Sequence, residues 1–220
     1  MVLTASIYGL FTPEPVAEQA ASYTQHPVTI VIDAGHGGED GGAVTADGVK
    51  ESDINLDISL RLESVLNLYG VNTVMTRSDD NAIYSDDAVT LRQKKTSDLK
   101  NRVELINSTP GAFLISIHQN NFSSSQYSGA QVFFSASDPI GAEVAVYAQE
   151  NLRLTLDNSN TRQAAVISDS IYLMKNIECS GILVECGFLS NVNEASMLQQ
   201  PEYQIDIAKA ITATVIQHCI

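Results

Sequence analysis

The stretch "VTIVIDAGHGGEDGGA" at residues 28–43 places one histidine among glycines directly after an apolar run. Residues 28–34 are rich in β-branched side chains and almost wholly apolar, a pattern typical of a strand that is buried on both faces. The glycines that follow end the strand and let the backbone turn sharply. We therefore predict a buried strand with His36 just beyond its carboxyl end.

The rest of the chain alternates between helix-like and strand-like segments. Apolar residues recur every three or four positions from about residue 52 to residue 69, which predicts an amphipathic helix that Ser52 or Asp53 caps and Gly70 ends. Further strands are predicted at 71–77, 112–118, 130–135 and 181–188, and further helices at about 98–108, 140–156 and 203–218. This order predicts a single α/β domain with a largely parallel twisted sheet of about six strands and helices on both faces.

Composition limits the classes of partner. The chain has 12 basic and 26 acidic residues, which give a formal net charge of −14. Because this negative charge repels phosphate groups, we do not expect nucleic acid as a partner. Residues 1–27 combine a short apolar start, which lacks basic residues, with three prolines and small polar residues. We interpret them as a flexible lead, compatible with the remnant of a signal or anchor, and place the folded domain at residues 28–220.

Three predicted apolar strands contain, or are closely followed by, an unexpected polar residue. These residues are His36 just past the first strand, His118 at the end of another, and Glu185 inside a third. A histidine near a strand end is, by itself, more often a hydrogen-bonded structural residue than a ligand. An unpaired buried carboxylate is costly, so Glu185 requires a partner or a nearby metal. Cys186 is disfavoured as a nucleophile because alternation along the strand turns it to the opposite face. Ligands gather at the carboxyl ends of parallel strands, which favours a shared site.

Glu51 completes the set if it points back from the start of the first helix. Considered alone, Glu51 is better explained as an acidic side chain that interacts favourably with a helix N-terminus. Together with His36 and His118 it forms a two-histidine, one-carboxylate set, which suits catalytic zinc with a fourth position left to water. Glu185 is then the nearby general base. The glycine loop is also compatible with a phosphate cradle, but it lacks a GK[ST] ending and carries acidic residues that repel an anion.

Taken in order, these motifs resemble those of the zinc-dependent N-acetylmuramoyl-L-alanine amidases, which cut the amide that joins glycan and peptide stem in peptidoglycan. The motifs are "DAGHGGEDGGA" (33–43), "GVKE" (48–51), "VMTRSDD" (74–80), "LKNRVELIN" (99–107), "ISIHQNN" (115–121) and "ILVECGFLSN" (182–191). By position, the resemblance implies Zn²⁺ ligands at His36, Glu51 and His118, a catalytic glutamate at Glu185, and a substrate contact at Asn120. It makes residues 28–220 the catalytic amidase domain.

The chemistry that this resemblance implies is metal-assisted amide hydrolysis. The metal polarises the lactyl carbonyl and activates water, while Glu185 takes the proton and passes it to the departing alanine nitrogen. A zinc peptidase or deacetylase that uses a similar site on another bond remains an alternative. A catalytically inactive binding module on the same fold is disfavoured because all four positions are intact.

Two segments, "LRQKKTSDLKNRVELIN" (91–107) and "YSGAQVFFS" (127–135), are most similar to the germination-specific amidases of spore formers. This implies an exported protein of the cell envelope that acts in the forespore intermembrane space or the cortex, as a step toward muramic lactam and germination. A vegetative cell-wall autolysin is the alternative. Because the chain carries a charge of −14 and no tryptophan for stacking on sugars, we expect it to bind peptidoglycan poorly by itself, so that an anchor, a confined compartment or an anchoring or activating protein partner retains or activates it there.

Overall fold

The computed structural model describes residues 27–220. Its elements follow the order β1 (Thr29–Ala34), α1 (Glu51–Leu68), β2 (Asn72–Met75), α2 (Leu91–Ser108), β3 (Ala112–Asn120), β4 (Gln131–Phe134), α3 (Pro139–Leu156), β5 (Ala165–Val166), α4 (Tyr172–Asn176), β6 (Gly181–Phe188), α5 (Val192–Leu198) and α6 (Pro201–His218). The predicted lead falls almost wholly on residues 1–26, which lie outside the described residues.

The six strands form one sheet in the order β2-β1-β3-β6-β4-β5. Strands β2, β1, β3 and β6 pair in parallel, β4 runs antiparallel to β6, and β5 runs parallel to β4. The prediction of a largely parallel sheet of about six strands is therefore confirmed. The carboxyl ends of β1, β3 and β6 lie side by side, and this edge carries the candidate site.

Strand β1 lies in the middle of the core and is buried on both faces. Its residues Ile30 and Ile32 pack into an apolar cluster that includes side chains of α1, α3 and α6. Val31 points the other way and packs with Ile106 of α2 and Leu173 of α4. Helices therefore cover both faces of the sheet, as predicted.

The ends of α1 confirm one predicted cap and contradict another. Lys50 is the N-cap and makes no side-chain capping bond, so the prediction of a cap at Ser52 or Asp53 is wrong. Ser52 is instead fully buried in the first turn of the helix. Gly70 ends the helix as predicted: its φ is +74°, and its N–H donates to the carbonyl of Asn67.

Helix α2 begins at Leu91, well before the predicted start near residue 98. Thr90 forms a capping box there, since its hydroxyl accepts from the N–H of Gln93 and the Gln93 side chain accepts from the N–H of Thr90. The short elements β5, α4 and α5 are further additions to the predicted set. Within residues 27–220, no helix combines the length and apolar character needed to cross a membrane.

Candidate metal centre

The structure brings His36, Glu51 and His118 together at the carboxyl edge of the sheet. His36 follows β1, Glu51 opens α1, and His118 lies near the end of β3. Nε2 of His36 is 3.3 Å, and Nδ1 of His118 is 3.1 Å, from the same oxygen, Oε1 of Glu51. One ligand atom from each residue lies within 4.8 Å of those of the other two. This spacing makes the three residues a candidate metal site.

The backbone at His36 adopts a conformation that few side chains tolerate. Its φ of +62° makes it the one non-glycine residue with a positive φ among residues 27–220. Glycine is required at the neighbouring position 35, because the imidazole ring of His118 packs against Gly35 and would overlap any Cβ there. The turn after β1 therefore brings the two imidazoles together, with ring centroids 5.1 Å apart.

Arg102, which is buried on α2, hydrogen-bonds to the backbone of the turn after β1. Its Nη1 donates to the carbonyl of Ala34 over 2.8 Å, and its Nη2 donates to the carbonyl of His36 over 2.7 Å. Nη1 also pairs with Oδ1 of Asp33 at 2.7 Å. Burial raises the pKa of Asp33, but the charge of Arg102 outweighs it with help from other groups, so this pKa falls to about 2. The pair therefore stays ionised beneath the site.

Arg77 also bonds to the turn after β1. Its Nε donates to the carbonyl of Ala34 over 2.8 Å, and its Nη2 donates to the carbonyls of Gly35 and Ser52 over 3.1 and 2.8 Å. Ser52 follows Glu51 in α1. Arg77 thus links the backbone next to His36 with the backbone next to Glu51.

Glu51 is buried, and each of its carboxylate oxygens has a defined partner. Oε2 accepts from the N–H of Ala43 over 2.9 Å, and Oε1 accepts from the N–H of Gln119 over 3.1 Å. Burial raises the pKa of Glu51, but hydrogen bonds to His118 and His36 hold it well below its usual range. Glu51 is therefore an anion at neutral pH, with contacts that exceed those of an ordinary acidic residue at a helix N-terminus.

Asp40 contacts Nδ1 of His36, the ring nitrogen that faces away from Glu51. Its Oδ2 lies 3.1 Å from Nδ1 of His36 and 2.9 Å from Nζ of Lys95. Burial by itself lowers the pKa of His36, but hydrogen bonds to Asp40 and Glu51 raise it to about 9. With Nδ1 engaged by Asp40, Nε2 is the nitrogen that faces Glu51, and it can bind a metal once its proton is displaced.

Glu185 lies on β6 in register with His118 on the neighbouring strand. Its Oε2 is buried and has no hydrogen-bond partner among residues 27–220. Burial raises its pKa to about 7, the nearby charge of Glu51 acts in the same direction, and the two histidines oppose it. Such a carboxylate can both take up and release a proton near neutral pH. Cys186 is buried in the core cluster shared with α1, α3 and α6, and burial raises its pKa, so it is unsuited as a nucleophile.

Two cavities border this edge of the sheet. A cavity of about 220 Å³ is lined by His36, His118, Lys95 and Tyr172, among others. A larger groove of about 510 Å³ lies between the loop that precedes α1 and the segments that follow β3 and β6. Asn120 is half-buried at the end of β3, and its carbonyl accepts from the N–H of Leu189 over 2.8 Å. Its role in substrate binding stays a prediction.

Sequence reasoning missed several residues that support the candidate ligands, above all Asn55, Gln119, Asp40 and Arg102. Of these, Asn55 had an available signal, because it lies four residues after Glu51 and so on the same helical face.

The N-acetylmuramoyl-L-alanine amidase family matches residues 30–217. The chain belongs to this family. The amidase activity that the sequence predicts is therefore confirmed at the level of the family, and the chain is an enzyme.

Individual members show how similar the amidase is to known proteins. It is 39% identical over 189 residues to a germination-specific N-acetylmuramoyl-L-alanine amidase of Bacillus subtilis, covering 86% of this chain and 78% of the relative. It is 31% identical to the amidase LytC of the same organism, covering 89% of this chain and 37% of LytC. Among solved structures, the CwlD amidase of Clostridioides difficile, in complex with the GerS lipoprotein, has a TM-score of 0.84 and 39% identity, covering 87% of this chain and 98% of CwlD.

Proposed function

We propose that this amidase hydrolyses the bond between N-acetylmuramic acid and L-alanine, with Zn²⁺ held by His36, Glu51 and His118 and with Glu185 as the general base. One observation carries the proposal: three ligand atoms lie within 4.8 Å of one another, beside a buried carboxylate oxygen that lacks a partner. The donor set fits zinc, because imidazole suits this metal whereas magnesium and calcium favour sites made of oxygen ligands.

Zinc in such a set acts as a Lewis acid that polarises the scissile carbonyl and favours ionisation of the attacking water. The chain itself supplies the proton transfers. The carboxylate of Glu185 would take a proton from the water as the water oxygen bonds to the lactyl carbonyl carbon, and Glu185 would return this proton to the alanine nitrogen as the carbon–nitrogen bond breaks. A pKa near 7 suits both steps. Glu51 remains an anion throughout.

Three variants test these roles. We expect His36→Ala and His118→Ala to lose zinc and activity together, because each removes a ligand. Glu185→Gln should keep zinc and lose activity by about 10²-fold or more, since it removes a general base outside the ligand set. Zinc content by mass spectrometry and release of peptides from peptidoglycan are the measurements. His218→Ala is the matched control, because His218 stacks on Tyr147 away from the site and should keep both properties. Equal zinc loss in the Glu185 variant would make Glu185 a ligand.

We further propose that the substrate is spore cortex peptidoglycan, where removal of stem peptides leads toward muramic lactam and germination. Similarity to a germination-specific amidase and to CwlD supports this role over that of a vegetative autolysin. The protein would then act after export, in the forespore intermembrane space or the cortex. Muropeptide analysis of a strain that lacks the protein tests the assignment. We expect cortex without muramic lactam and with retained stem peptides, and unchanged lactam would reject the spore role.

A further inference from the structure

We infer that Asn55 is a positioning residue that sets the three proposed zinc ligands in their relative places. The inference rests on the proposed function. Asn55 lies on α1 one turn after Glu51 and is fully buried, so it has no access to substrate. Any effect on the reaction must therefore pass through the residues that it touches.

The side-chain amide of Asn55 contacts all three ligand-bearing segments. Its Nδ2 donates to the carbonyl of Gly35 over 3.1 Å, at the residue directly before His36. The same nitrogen lies 3.4 Å from Oε1 of Glu51, the oxygen that both histidines approach. Its Oδ1 accepts from Nε2 of Gln119 over 3.1 Å, at the residue directly after His118. One planar group thus links β1, α1 and β3 beneath the candidate centre.

An amide is the side chain that these contacts require. It combines two donor hydrogens with an acceptor oxygen, whereas a carboxylate is an acceptor only and an aliphatic side chain is neither. An aspartate at position 55 would direct a negative charge at Glu51 and leave the contact to Gly35 without a donor. Outer groups that orient metal ligands typically change metal affinity by about 10–100-fold when they are removed.

Zinc affinity of the full chain, measured by competition with a chelator, tests the inference without reference to activity. We expect Asn55→Ala to weaken zinc binding by about 10–100-fold. Gln119→Met, which removes the donor to Oδ1 and leaves Asn55 in place, should weaken it in the same direction. Because both variants break one link, the double variant should show less than the product of the two single effects.

Asn160→Ala is the matched control for a general loss of stability. Asn160 is also buried, and its amide donates to the carbonyl of Ala130 over 2.9 Å and accepts from the N–H of Arg162 over 3.0 Å. It bonds to none of the ligand-bearing segments. We expect this variant to lower the melting temperature as much as Asn55→Ala does and to leave zinc affinity at the native value.

The inference is overturned if folded Asn55→Ala binds zinc as tightly as the native chain, or if Asn160→Ala weakens binding equally. Should Asn55→Ala fail to fold, Gln119→Met decides: native zinc affinity in that variant overturns the inference, and weakened affinity supports it. A native chain that takes up no zinc overturns both this inference and the proposed function. Zinc uptake by the native chain with unchanged affinity in the variants overturns this inference alone.

Discussion

At the scale of single residues, the buried carboxyl of Glu185, the proposed general base, reduces the stability of the folded chain. Its pKa is raised from 4.5 to about 7, chiefly because burial disfavours the charged form. The folded chain therefore binds a proton at Glu185 more readily than the unfolded chain does. Between about pH 4.5 and pH 7, this group makes the free energy of unfolding fall as the pH rises, and the full cost is present above pH 7.

Glu185→Gln should remove this cost. In the metal-free protein, we expect the variant to melt about 2–4 °C above the native chain near pH 8, with the gain shrinking as the pH falls toward the unfolded pKa. The measurement is thermal unfolding in the presence of a chelator, near pH 8 and again at a pH close to the unfolded pKa of 4.5. The exposed Glu143→Gln should give no such pH-dependent gain. A gain that is equal at both pH values would show that the charge of Glu185 is not its cause.

At the scale of elements, α2 presents Arg102 beneath the turn after β1, and the helix is anchored at its start by the capping box of Thr90. Thr90→Ala should cost about 1 kcal/mol, because the N–H of Gln93 loses its acceptor. We expect a fall in melting temperature of about 2–4 °C. Thr96→Ala is the control, since Thr96 lies exposed inside the same helix and alanine is the better helix former. Equal falls in both variants would contradict the capping role.

Sequence patterns predict some of these elements well and others poorly. A continuous apolar run is sufficient to predict β1, and apolar periodicity is sufficient to predict α1, because both elements pack most of their length against the core. It misses the start of α2 because residues 91–97 are mostly polar, although the Thr-x-x-Gln signature at Thr90 was present. Asn55 could not be assigned its partners from sequence, because the contacts to Gly35 and Gln119 join residues 20 and 64 positions apart.

At the scale of the whole molecule, the proposed ligands come from three separate elements, and the parallel sheet is what places those elements together. His36, Glu51 and His118 could be proposed from sequence because each lies at, or close to, the end of a recognisable element. Their roles, and that of Glu185, stay predictions that the variants above test. The structure adds the supporting bonds of Arg77 and Arg102, since buried guanidinium groups satisfy backbone carbonyls that no sequence pattern marks.

The overall charge also predicts how the amidase meets its substrate. With a formal charge of −14 and no tryptophan, we expect the purified protein to bind peptidoglycan weakly and to depend on a protein partner for full activity. Sedimentation with purified peptidoglycan is the measurement. Tight binding together with full activity, without any added factor, would contradict it.

The bond that the protein cuts distinguishes an amidase from a glycosidase or a peptidase. Purified peptidoglycan is digested with the zinc-loaded protein, and the soluble products are analysed by mass spectrometry and by assay of reducing sugar ends. Amide hydrolysis at the site of His36, Glu51 and His118 predicts stem peptides with a new L-alanine amino terminus, intact glycan chains, and no products from the Glu185→Gln variant. New reducing ends, or peptides that begin at another residue, would contradict the account.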